Sequence, residues 1–97
     1  MKFLIVSDIP NMAGAKTAED RNKVGQGVVD GLKLIAKAKK GRLGEHEVWI
    51  DGSLYLAVLN DDVATTIKSV VERAGMKVSE MSAEDVFLKR FPAMKSE

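Results

Sequence analysis

The sequence predicts an α+β sandwich in which one antiparallel four-stranded sheet carries two helices on a single face. Three observations support that prediction. Two β-rich runs, 47–50 and 53–59, flank the dipeptide Asp51-Gly52. This is a strong short-range hairpin signal, because both central residues of a tight two-residue turn take positive φ. Apolar residues recur at helical spacing on either side of the hairpin, first at Val24, Val28, Leu32 and Ile35, then at Val63, Ile67, Val70, Val71 and Ala74. Short strand-like runs stand near both ends, Phe3-Leu4-Ile5-Val6 and Met76 to Glu80. The order is β-α-β-β-α-β plus a short terminal helix, a ferredoxin-like split βαβ unit with strand order 4-1-3-2.

The first strand spans 2–7 and is ended by Asp8 and Pro10. Residues 9–17 form a loop with Pro10 and Gly14 as breakers. Thr17, with Asp20 three residues later, caps a helix that runs to Lys39 or Lys40 and stops at Gly41. Gly25, Gly27 and Gly31 each weaken it by up to about 1 kcal/mol. They either fray its first turns or let it lie close to the sheet. A loop over 41–44 leads into the hairpin. There His46, Val48, Ile50, Leu54, Leu56 and Val58 share one face, and Trp49, Tyr55, Ala57 and Leu59 the other. Asn60, Asp61 or Asp62 caps the second helix, and Gly75 ends it. In the last strand, 76–80, Val78 faces inward. Ser82 with Asp85 opens a short helix carrying Val86 and Phe87, which Pro92 stops. The domain is thus 1–92, with a flexible tail over 93–97.

A chain of 97 residues has room for one core. It has no cysteine, which excludes disulfides and thiolate sites, and its single histidine excludes paired-imidazole chemistry. No apolar run approaches the roughly 20 residues of a membrane span. Residues Met1 to Asp8 are too short and too soon charged for a signal peptide. A cytoplasmic protein with no membrane partner is expected. The net charge of +1 is unevenly spread: residues 1–45 hold nine Lys/Arg against five Asp/Glu, and 46–97 hold six against nine. The basic first part permits an anion-binding face.

Lys33, Lys37 and Lys40, spaced four and three apart, share one helix face, and Lys39 and Arg42 extend the cluster. Five cations so close together suit the phosphates of RNA, with salt-sensitive affinity. They also suit a solvated face at the negative end of the helix dipole. Asp8, at a strand end, is a candidate ligand for a divalent cation such as Mg, more so where a dimer axis brings two copies together. Its alternative role is an Asx-turn acceptor ahead of Pro10. The sheet face away from the helices would carry Phe3, Ile5, Ser7, Trp49, Tyr55, Ala57 and Leu59, a set too apolar to leave in water. Stacked bases or another protein surface would cover it. The RNA-recognition-motif signature is absent, so the reading favours a homodimer interface built from Phe3, Ile5, Trp49, Tyr55 and Leu59. Gly14-Ala15-Lys16-Thr17 imitates the end of a phosphate-binding loop but lacks the leading glycine, position 9 being Ile. His46 precedes an edge strand and is the one imidazole available for proton transfer.

Phe3-Leu4-Ile5-Val6-Ser7-Asp8-Ile9-Pro10 resembles the first strand of the GhoS-type antitoxins, and Met81-Ser82-Ala83-Glu84-Asp85-Val86-Phe87 is similar to that family's acidic-aromatic C-terminal segment. These are small ferredoxin-like proteins of type V toxin–antitoxin systems that cleave the messenger RNA of their toxin. Length and element order agree over most of the chain. The strand ending in Asp8-Ile9 is also similar to the opening of the small CRISPR-associated endoribonucleases, which share the fold. In those proteins a strand-end aspartate from each subunit of a dimer holds a metal. The resemblance puts that role on Asp8, with Ser7 standing where those proteins carry an aromatic. It implies a bacterial or phage-borne homodimer that binds RNA as an endoribonuclease antitoxin. Two other classes remain open on the residues. One is a non-enzymatic inhibitor or accessory module from a phage or mobile element, meeting a protein partner through the sheet face or the acidic second half. The other is an ACT-like regulatory domain that binds small ligands at a dimer edge.

Overall fold

Alternation along the first strand sets the layering. In the computed structural model, which describes residues 2–90, β1 (Lys2–Ser7) turns the fully buried Leu4 and Val6 into the main core and sends Phe3 and Ile5 to the opposite side. β2 (Leu43–Val48), β3 (Leu54–Val58) and β4 (Lys77–Met81) complete an antiparallel sheet in the order β2-β3-β1-β4, the expected order read from the other edge. α1 (Ala18–Ala38) and α2 (Asp61–Arg73) supply Val29, Leu32, Ala36, Val63, Ile67 and Val71 to the same core, which also holds Leu54, Leu56 and Val58. The fold is α+β and ferredoxin-like. None of its described helices is long and apolar enough to cross a membrane.

Capping residues start the helices where their chemistry predicts. The Asp20 N–H donates to Thr17 Oγ1 at 3.0 Å, and the Asp85 N–H donates to Ser82 Oγ at 3.1 Å at the start of α3 (Ala83–Arg90). Asn60 holds the N-cap position of α2 but makes no cap hydrogen bond. Its Oδ1 accepts instead from the Arg42 N–H at 3.1 Å, tying the start of α2 to the connection between α1 and β2. The stop expected at Pro92 and the tail 93–97 lie outside the described residues.

Both long helices end in the same hydrogen-bonded motif, with different residues in its left-handed position. After α2 that residue is Gly75, φ +88°, with Gly75 N–H to Glu72 O at 3.0 Å and Met76 N–H to Val71 O at 3.2 Å. After α1 it is Lys40, φ +57°, with Lys40 N–H to Lys37 O at 3.0 Å and Gly41 N–H to Ala36 O at 2.9 Å. The sequence points to Gly41 as the stop, yet Gly41 serves another need. A Cβ there would overlap the Val63 Cγ2 and lie 3.1 Å from Asn60 Oδ1. The glycine is spent on close approach to α2, so the lysine takes the left-handed turn.

The hairpin turn is displaced by one residue from its expected place. The Gly52 N–H donates to Trp49 O at 2.8 Å and the Trp49 N–H to Ser53 O at 2.9 Å, leaving Ile50 and Asp51 as the central residues. Asp51 does not take positive φ; Gly52 does, at +86°. The result is a three-residue connection ending in a glycine bulge. This odd length sets Val48 opposite Leu54 and His46 opposite Leu56, as the face assignment requires. Ile50, expected on the core face, sits in the turn and is 89% exposed. Two further differences are local. β2 begins at Leu43, where a loop is expected, with a register shift between Leu43 and His46. The loop before α1 contains a 3-10 turn, Met12–Gly14.

The far side of the sheet is largely buried within one chain. Ile5, Tyr55 and Ala57 are 8%, 3% and 5% exposed although they face away from α1 and α2. The Trp49 ring stacks on Tyr55, and α3 lies on the same sheet through β1, with Val86 half-buried.

Candidate nucleic-acid interface

The end of α1 and the start of β2 form a corner in which cations gather. Lys33 and Lys37 stand one turn apart on α1, about 6 Å along its axis. Lys40 follows in the left-handed turn, and Arg42 is held there by its backbone, the N–H to Asn60 Oδ1 and the carbonyl accepting from the Leu59 N–H at 3.4 Å. These four side chains line one open groove of about 460 Å³, with Ala36, Gly41 and Leu43 completing its walls. Lys39 does not line it. The ion pairs among the described residues use other lysines: Lys2 and Lys68 with Glu80, Lys23 with Glu19, and Lys77 with Asp8. The groove therefore presents four cations and no carboxylate. A favourable helix dipole accounts for lysines near the end of α1. It does not account for Arg42, which lies beyond the helix and completes the ring.

Asp8 lies at the opposite end of the molecule. α1 starts near that end and runs 21 residues, about 31 Å, to the cation corner. Asp8 takes a left-handed backbone, φ +55°, and pairs with Lys77 Nζ at 3.4 Å. It borders a cleft of about 360 Å³ with Met12, Arg21 and Asp51, whose Oδ1 accepts from the Ser53 N–H at 2.9 Å. Divalent cations such as Mg and Ca take six or more oxygen ligands, commonly from more than one carboxylate. Among the described residues no three carboxylates or imidazoles converge on one point.

The residues expected at a dimer interface lie in different settings. Trp49 and Tyr55 stack on each other, centroids 3.8 Å apart and planes 10° from parallel. Tyr55 and Ile5 are buried, Phe3 and Trp49 are half-buried, and Leu59 is 46% exposed. Little of the Tyr55 ring is left for a base or a second protein to cover.

A polar contact that sequence reasoning missed lies on the exposed side of the α1–β2 seam. His46 Nε2 is 3.1 Å from Gln26 Oε1, and Gln26 Nε2 donates to Asp30 Oδ1 at 2.8 Å. The carboxylate only accepts, so Gln26 turns its oxygen to the ring and His46 carries its proton on Nε2. The signal available in the sequence was the spacing of Gln26 and Asp30, four apart on α1. No protein-family model, no curated protein and no solved structure matches this chain.

Proposed function

We propose that the protein binds RNA through its phosphates, using the groove lined by Lys33, Lys37, Lys40 and Arg42. The observation that carries this reading is the convergence of four cations from a helix, its terminal turn and the residue just before β2 on one carboxylate-free depression. The groove holds no nucleophile and no proton-transfer group, so it supports binding. Scission in the manner of GhoS-type antitoxins, which the resemblance implies, would have to be organised elsewhere, and Asp8→Ala in a turnover assay tests it separately. The first test of binding is a fluorescence-anisotropy titration of a labelled RNA hairpin across a salt series. Four neutralised phosphates give a log–log slope near −3.6, a loss of about 10²-fold in affinity between roughly 50 and 200 mM salt. Replacing all four cations by Gln should abolish binding and leave the melting temperature nearly unchanged, since these side chains are exposed. Undiminished binding by that variant would remove the proposal.

A further inference from the structure

We infer that the groove grips consecutive backbone phosphates of an RNA duplex and leaves the bases unread. The inference rests on the RNA-binding reading above and specifies its ligand. Unpaired bases are held by aromatic faces on which they stack, whereas the base edges of an A-form duplex lie in a deep, narrow major groove that side chains cannot read. The groove has no aromatic face: beside its four cations it is lined by Ala36, Gly41 and Leu43. The sheet does not supply a stacking platform in its place, because Trp49 and Tyr55 stack on each other and Tyr55 is 3% exposed. What remains is charge at fixed spacing. Lys33 and Lys37 are set about 6 Å apart along the axis by the helix, and Lys40 follows in the left-handed turn that ends it. Arg42 is pinned beside them through its backbone. A step of this size is comparable with the separation of successive phosphates along a strand. A duplex offers its phosphates already in rigid register. A single strand would have to be ordered to fit, with no stacking to offset the loss of freedom.

The test compares an RNA duplex with each of its separated, unstructured strands at equal length, in the same salt series and with a second duplex of shuffled sequence. The duplex should bind at least about tenfold tighter than either strand, with a slope between about −3 and −4. The shuffled duplex should bind within about twofold of the first, since phosphate contacts carry no sequence information. The double variant Lys33→Gln/Lys37→Gln should lower the slope by about two at an unchanged melting temperature. Strands bound as tightly as the duplex, with the same sensitivity to the double variant, would overturn the duplex inference and leave the RNA-binding reading standing. Absence of binding to any of these RNAs would instead defeat that reading itself.

Discussion

At the scale of single residues, Lys40 shows where stability and binding pull apart. Its left-handed backbone costs roughly 1–2 kcal/mol for a residue with a Cβ, and the strain persists because Gly41 is needed beneath Val63. Lys40→Gly should therefore stabilise the fold by about 0.5–1 kcal/mol once the greater freedom of unfolded glycine is counted. The same change should reduce the salt slope of RNA binding by about one, because a groove cation is gone. Gly41→Ala should cost about 1–3 kcal/mol by driving a methyl group into a stiff, buried valine. Thermal melts of the two variants, moving in opposite directions, check this directly. Sequence reading located the helix end to within a residue. It could not see which residue bears the left-handed turn, because the demand on Gly41 comes from α2, 20 positions further along the chain.

At the scale of elements, the three glycines of α1 separate into two kinds. A Cβ on Gly25 would overlap the Val48 Cγ2, so this glycine brings the helix close to β2, whereas Gly27 and Gly31 have nothing within 4 Å. Gly27→Ala and Gly31→Ala should each stabilise the protein by about 0.5–1 kcal/mol. Gly25→Ala should destabilise it by about 1–3 kcal/mol. Denaturant midpoints for the three variants read out both signs. This close approach also turns the helix. Its buried residues are Gly25, Val29, Leu32 and Ala36, one position round from the expected Val24, Val28, Leu32 and Ile35, of which only Leu32 is fully inside. Periodicity revealed the helix and its apolar side. The centre of that side was hidden because a glycine has no hydropathy to mark it. The hairpin shows the same limit. Asp51-Gly52 announced a turn, but the choice between two and three loop residues was made by the pairing of Val48 with Leu54.

At the scale of the whole molecule, element order and alternation were enough to give the sheet and the side on which its helices lie, since both follow from local patterns. The burial of the sheet's far side was not legible, because it depends on packing between distant residues such as the Trp49–Tyr55 stack. The cation cluster could be read from spacing on α1, but Arg42 joins the groove only through the corner held by Asn60. The same topology places Asp8 and the cations at opposite ends of α1, so a ligand held by the groove does not reach Asp8 unless it spans about 30 Å. The most direct measurement is an amide chemical-shift map of the isotope-labelled protein titrated with a short RNA duplex at low salt. The account predicts perturbations concentrated over residues 33–43 and the adjoining 59–61. Perturbations centred on 7–15 and 50–53, or on Phe3, Ile5, Tyr55 and Ala57 across the back of the sheet, would contradict it.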